Sequence, residues 1–445
     1  MQNSNTALSV SSFEIKERLS KHILADGYNM VMDVEKSHGN YIVDKNTGET
    51  YLDMFTMFAS TCIGYNHPHL VKNAQKIGKL AITKPTLSDV YTEEYADCID
   101  TFGRIAIPEY LQYAFFVEGG SLAVENGLKA AFDWKTKLNF QKGISNEADV
   151  VIHFKQAFHG RSGYTLSLTN TSDPRKYQYF PKFNWPRITN PKLYFPITDE
   201  NLKTTLAEEE IAKNEIEIAL KEFENRIACI IIEPLQGEGG DNFFRKEFHQ
   251  YLRTICNEND ILLMYDEVQC GMGITGKMWA HQHYDIQPDI LSFGKKTQVC
   301  GILANKEKFD KVENNVFIES SRLNSTFGGN YVDFLRLKLI MEVYENENIV
   351  ENARIQGEYL LQKIKKLQQE FPEIITNARG IGLWCSFDFP TAEIRTTFIK
   401  KCFESKLILL VCGDTSIRFR PHLNVSKSFI DECFEIIHAN IIGII

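Results

Sequence analysis

Several features are scarce or missing in this sequence of 445 residues, and each closes off a class of function. There is no excess of positive charge: 49 Lys and Arg against 58 Asp and Glu leave a net charge of -9. The basic field that nucleic acid or an anionic membrane surface requires is therefore not there. The ten cysteines never fall in a Cys-x-x-Cys pair, which argues against a metal site. Scattered through so long a chain, they do not read as a disulfide framework either. No apolar run approaches the roughly 18 residues that cross a bilayer. The start, MQNSNTALSVSSFEIKERLS, has no basic segment leading into an apolar one. The expectation is a cytoplasmic protein without a metal, a nucleic acid or a membrane, whose partners are small metabolites.

What is present is ordinary globular material. With 43% hydrophobic and 24% charged residues there is enough for two domains, or for one large domain with an appendage. Residues 12–24 space Phe13, Ile15, Leu19 and Ile23 as an amphipathic helix does. Between the strand-like ends of 41–52, the sequence NTG predicts a hairpin. From residue 113 a pattern of apolar run, glycine-rich or charged turn, and helix recurs: YAFFV before EGGS, then residues 150–154, 228–232, 261–265 and 290–293. Such alternation predicts an α/β fold with a mainly parallel sheet and right-handed crossovers. The five prolines of 173–196 predict a long loop, and 208–223 and 245–258 predict helices. Towards the end, 331–371 predicts one long helical region, 378–389 a strand, 407–411 and 417–419 two more, and 428–442 a last helix. The expected division is a small domain from 1–75 and 331–445 around a large domain at 76–330.

Charged groups just past the carboxyl ends of parallel strands lie where open α/β sheets bind ligands. Asp266 and Glu267 follow one apolar run, and Lys295 and Lys296 follow the next, so an acid and a lysine are expected to face one crevice. The Gly119-Gly120-Ser121 turn would offer backbone N–H groups to a phosphate, although taken alone an ordinary serine-capped helix is the commoner use of such a turn, and only context raises the phosphate reading. Taken alone, His159 reads as a satisfied core or surface histidine and Arg161 more often as a structural ion pair than as a binding residue, and Lys296 reads as an ion pair or surface charge. Gly271, Gly273 and Gly276 spell a dinucleotide fingerprint, but DEVQC separates them from the strand and no good helix start follows, so a nucleotide site is rejected. A carboxylate that keeps a pyridine nitrogen protonated and a desolvated lysine able to form a Schiff base are the equipment for pyridoxal phosphate.

Seven segments in order resemble the class III aminotransferases of fold type I: FVEGGSLAVENGLKAA, AFHGRSGYTLS, IIEPLQGEGGD, YDEVQCGMGITGKMWAH, FGKKTQVCG, RLNSTFGGN and IRFRPHL. The resemblance spans about residues 41–423, and EGGSLAVEN, HGRSGYT and GKKTQVCG resemble the branch acting on lysine. It implies a large domain that binds pyridoxal 5'-phosphate, a smaller α/β domain from both termini, and a homodimer with shared active sites. The implied reaction moves the ε-amino group of L-lysine to 2-oxoglutarate. Ornithine or 4-aminobutyrate as the amine, or an aminomutase, are the alternatives.

By the same resemblance Lys295 is the Schiff-base lysine, Asp266 pairs with the pyridinium nitrogen, Gln269 reaches the ring hydroxyl and Phe158 stacks on the ring. Gly120 and Ser121, with the partner subunit's Thr326, would hold the phosphate, and Glu233 would stand behind the site. Arg161, helped by Asn324, would take the carboxylate distant from the reacting carbon, and Arg418 the carboxylate next to the ketone. Glu238 would be a gate over Arg418. Arg420, two residues on, competes with Arg418 for that role, and alignment with the class motif favours Arg418. Two departures stand out: Glu118-Gly119-Gly120 where the class has Asn-Ser-Gly, and KTQVCG in place of a glycine-rich run.

Overall fold

A computed structural model describes residues 14–83 and 89–444. The chain enters through a short helix, Ile15–Ser20, so Ser12 and Phe13 of the expected helix lie outside the described residues. A hairpin follows, with β1 (Tyr41–Val43) antiparallel to β2 (Thr50–Asp53) and Tyr41 opposite Leu52. Its turn reverses at Gly48, whose φ of +74° suits glycine.

The first long helix, α1 (Glu93–Ile105), is capped by Thr92 and carries Glu93 and Glu94 in its first turn. The main sheet then builds up. β3 (Tyr113–Val117) leads into α2 (Gly120–Gln141), and β4 (Val150–Phe154) into the proline-rich loop, which contains a two-residue strand β5 (Arg187–Ile188). Helix α3 (Asp199–Glu222) precedes β6 (Ile227–Ile232), and α4 (Lys246–Glu258) precedes β7 (Leu262–Asp266). β8 (Ile290–Phe293) and β9 (Cys300–Ala304) complete a seven-stranded sheet of order β3-β9-β8-β7-β6-β4-β5. The five strands from β8 to β5 pair in parallel, and β9 alone runs against both its neighbours. Every residue of β6 and β7 is buried, because helices cover both faces. That is why these strands are unbroken apolar runs rather than alternating ones. Each fully buried Ile or Leu there contributes about 1.5–3 kcal/mol.

The region expected as one helix over 331–371 is two, α5 (Tyr331–Asn346) and α6 (Ile349–Glu370), broken at Asn348, which takes a left-handed φ of +49°. The segment expected as one strand is a hairpin, β10 (Thr376–Ile381) and β11 (Trp384–Asp388), that turns at Gly382. A Cβ at Gly382 would meet the backbone of Thr275 at 2.3 Å. Gly276, with φ +81°, leaves no room for a Cβ beside Arg354. The misleading glycine fingerprint is thus a tightly packed turn under this hairpin.

Helix α7 (Ala392–Glu404) follows, and the expected strand 407–411 divides. β12 (Leu407–Ile408) pairs in parallel with β2, whereas β13 (Leu410–Cys412) pairs with β14 (Ser416–Phe419). Strands β10, β11, β14 and β13 form a four-stranded antiparallel sheet, and α8 (Lys427–Ile442) ends the fold. Helix α3 begins well before residue 208, at Asp199, capped by Thr198 with two acids in the first turn. Its weak apolar periodicity hid that start. Among the described residues no helix is long and apolar enough to cross a membrane.

Candidate active site

The carboxyl ends of β4, β6, β7 and β8 and the start of α2 surround a cavity of about 610 Å³. Asp266 is the last residue of β7, and Lys295 lies two residues past β8. Because β7 and β8 are adjacent and parallel, with Asp266 opposite Ser292, the acid and the lysine open into the same space. Asp266 is 5% exposed and receives three contacts: Nδ1 of His159 at 2.8 Å, the Ser292 hydroxyl at 3.2 Å and the Val268 N–H at 3.1 Å. With the carboxylate ionised, the His159 Nδ1–H donates to it. His159 is itself buried, and its Nε2 has no partner within the described protein. Gly160 lets this loop pass beneath Ser121: its φ is +122°, and a Cβ would lie 2.2 Å from the Ser121 Oγ.

At the other end of the cavity α2 begins without a side-chain cap, on Gly119 with φ +102°. The first N–H groups of a 22-residue helix are therefore offered to an anion. Ser121 Oγ sits 2.5 Å from Ser162 Oγ and 2.7 Å from Thr165 Oγ1, and the Ser162 hydroxyl donates to Glu125 at 2.7 Å.

Lys295 has a left-handed φ of +41°, a strained conformation of the kind that marks functional positions. Burial, reinforced by the positive charges of Arg418 and Lys296, brings its amine down to about 7. Lys296 faces elsewhere. It is 2% exposed, burial lowers it to about 8, and it donates to the Gln269 carbonyl at 2.5 Å. Glu233 ties two loops together, accepting the N–H of Phe158 at 2.9 Å and of Gly237 at 3.0 Å. Burial pushes its carboxyl up to about 7 against the pull of His159.

The substrate end is a chain of charges. Arg418, on β14 and 1% exposed, donates to Glu238 at 2.7 Å and to the Gln269 side chain at 3.3 Å. The second oxygen of Glu238 accepts from Lys176 at 2.5 Å. Burial tends to raise the Glu238 carboxyl, but Arg418 and Lys176 together hold it below the usual range. Arg420 turns away to a fully buried pair with Asp241 at 2.5 Å and lies 3.6 Å over the Trp384 ring. Arg161 lines the cavity, largely exposed, with its Nε donating to the Lys176 carbonyl at 3.1 Å.

These groups fit pyridoxal phosphate: a buried carboxylate for a pyridinium, an uncapped helix for a phosphate, and a lysine whose amine burial brings down to about 7. Compared with known families, the model of class-III aminotransferases matches residues 23–441. The chain belongs to the class-III aminotransferases. It is a transferase dependent on pyridoxal phosphate. The L-lysine-epsilon aminotransferase of Mycobacterium tuberculosis (strain ATCC 25618 / H37Rv) is 46% identical over 424 residues, covering 94% of this chain and 93% of the relative. That of Amycolatopsis lactamdurans is 42% identical over 433 residues, covering 96% and 95%. A solved lysine aminotransferase from M. tuberculosis superposes with a TM-score of 0.95 at 43% identity, over 98% of this chain and all of that one.

Of the residues singled out from sequence, Lys295, Asp266, Gln269, Phe158, Gly120, Ser121, Glu238 and Arg161 come together in the aminotransferase cavity, with Arg418 beneath it against Glu238. Asn324 and Thr326 do not line it; they sit exposed in the loop between β9 and α5. Sequence reasoning left His159 as a structural histidine, since its only signal was its place in a glycine-flanked loop after β4. It also missed Ser60 and Thr61, which reach the cavity after four successive left-handed residues, Thr56 to Ala59. Lys176 carried no local signal at all.

Proposed function

We propose that this aminotransferase moves the ε-amino group of L-lysine to 2-oxoglutarate, giving 2-aminoadipate 6-semialdehyde and glutamate. One observation carries the reading: Glu238 covers Arg418 at 2.7 Å while Arg161 remains available across the cavity. An amine at the end of a side chain has no carboxylate beside the reacting carbon, so it needs that arginine neutralised. A buried guanidinium facing it unpaired would cost several kcal/mol, about 3–5 where one partner of a buried pair is missing. A 2-oxo acid brings its own carboxylate, which takes the place of Glu238 in bidentate geometry. The names of the mycobacterial and Amycolatopsis relatives support lysine as the amine.

When bound, pyridoxal phosphate supplies a reactive carbonyl and a ring that draws electrons from the carbon losing its proton. The protein's own groups do the rest. Asp266, oriented by His159, would keep a proton on the ring nitrogen. The start of α2 and the Ser121 hydroxyl would hold the phosphate, together with the partner subunit's Thr326. Phe158, its N–H held by Glu233, would cover the ring, and Gln269, its carbonyl held by Lys296, would serve the ring hydroxyl. Lys295 Nζ takes a proton from Cε of lysine and, in the second half-reaction, delivers one to the C2 carbon of the forming glutamate. Arg161 binds the α-carboxylate of lysine and then the distal carboxylate of 2-oxoglutarate.

The reading includes a homodimer with shared active sites, supported by the exposed position of Asn324 and Thr326 outside their own cavity. It includes a cytoplasmic setting, in keeping with ten free, buried cysteines. The division into 1–75, 76–330 and 331–445 is in keeping with the β2–β12 pairing of the two ends. The test is glutamate formation by the holoenzyme from 2-oxoglutarate with L-lysine, L-ornithine or 4-aminobutyrate. Lysine is expected to be fastest; a faster ornithine or 4-aminobutyrate overturns the assignment, and product without any keto acid would mean an aminomutase.

A further inference from the structure

Glu238 is held from two sides. One oxygen accepts from Arg418 at 2.7 Å and the other from Lys176 at 2.5 Å. Its main chain is pinned, because its carbonyl accepts the Gly413 N–H at 2.9 Å. Any departure from Arg418 is therefore a rotation of the side chain. A half-buried carboxylate that leaves a cation is costly unless another receives it. Lys176 is in place to do so. It ends a single 3₁₀ turn, Pro174–Lys176, capped by Asp173, and its side chain is 28% exposed, so it can follow the carboxylate outward.

We propose that Lys176 is a positioning residue for the keto-acid half-reaction, the cation that retains Glu238 once it has released Arg418. The proposal rests on the reading of Glu238 as a gate. With both cations engaged, the gate is shut for the amine. With Glu238 on Lys176 alone, Arg418 is open to the keto acid. The same residue touches the other carboxylate site through its backbone, since its carbonyl accepts from Arg161 Nε at 3.1 Å. One loop thus serves both ends of the cavity, but only the Lys176 side chain acts on the gate.

The two half-reactions, followed separately by cofactor absorbance in the holoenzyme, test this. In Lys176→Met the open gate loses its cation while the shut gate keeps Arg418. The 2-oxoglutarate concentration for half-maximal rate should rise roughly ten-fold, which corresponds to about 1.4 kcal/mol, with a far smaller change for lysine. Lys176→Arg should restore it. Glu238→Ala biases the gate the other way and should impair the lysine half-reaction more. In the Glu238→Ala background Lys176→Met should have no further effect on the keto acid, because coupled residues are non-additive. Equal losses in both half-reactions of Lys176→Met, or no shift at all, would overturn the role of Lys176 alone. If Glu238→Ala spares the lysine half-reaction, the gate itself fails and the proposal falls with it.

Discussion

Arg418 and Arg420 make the sharpest test of the structure, because they are two residues apart on one strand end and the fold gives them opposite tasks. Consider Arg420→Met. Asp241 and Arg420 are both fully buried, and the second oxygen of Asp241 has no other partner among the described residues. Removing the guanidinium leaves an uncompensated buried charge, a loss of about 3–5 kcal/mol. Unfolding entropy near 2.1 cal/mol/K per residue gives about 0.9 kcal/mol/K for this chain, so the melting temperature should fall by about 3–5 °C. Arg418→Met differs in kind. Glu238 keeps Lys176 and is 24% exposed, so the stability loss should stay near 1 kcal/mol, or about 1 °C. The keto acid, however, loses a charge-assisted contact, about 3 kcal/mol or roughly a hundred-fold in affinity. Scanning calorimetry at saturating cofactor and single-turnover rates with 2-oxoglutarate measure the two quantities. A stable Arg420→Met enzyme that fails to use the keto acid, beside a destabilised but competent Arg418→Met, would refute the assignment.

Three further outcomes are expected. Arg161→Ala should weaken both half-reactions, each by roughly ten-fold or more for a lost charge-assisted hydrogen bond; single-turnover titrations in which only one substrate suffers would show the assignment to be wrong. The keto-acid half-reaction should speed up as pH rises through about 7 and then level off, because burial, Arg418 and Lys296 favour the neutral Lys295 amine and protonation below that point removes the base. A pH-rate profile with its midpoint at the ordinary lysine value would contradict the burial argument. Gly160→Ala forces a Cβ onto Ser121 Oγ and a rare φ on alanine, so cofactor affinity, read by absorbance titration, should drop by on the order of ten-fold. Unchanged affinity would show that Ser121 plays no part in holding the phosphate.

How much of this was legible in the sequence follows from the range of the forces involved. The strands at 150–154, 227–232, 262–266 and 290–293 could be read because strands covered on both faces must be continuous apolar runs. An acid and a lysine at neighbouring strand ends could be read because strand ends collect ligands whatever the surrounding fold, whereas the choice of Asp266 and Lys295, and of the turn at 119 and 120 as a phosphate site, needed the resemblance to the class III aminotransferases. Breaks inside otherwise regular patterns could not. Asn348 parts α5 from α6, Gly382 folds a supposed strand into a hairpin, and Leu409 sends β12 and β13 to different sheets. Each of these is decided by a packing partner far along the chain, as Gly382 is by the backbone of Thr275.

The sequence by itself therefore determined the fold class and the order of the βα units, since both rest on local patterning, and it put an acid and a lysine at neighbouring strand ends; the roles expected of Asp266 and Lys295 came from the resemblance to the class III aminotransferases. The support of Asp266 by His159 and the two-sided hold on Glu238 came only from tertiary structure, which also pairs Arg420 with Asp241 and Arg418, the residue that the class motif favoured, with Glu238. Charges separated by as many as 180 residues, as Glu238 and Arg418 are, leave no trace in local composition. They acquire partners when β14, the loop after β6 and the proline-rich loop are folded against one another. Only then does burial decide which guanidinium is committed to Asp241 inside the protein and which meets Glu238, a residue of the cavity lining.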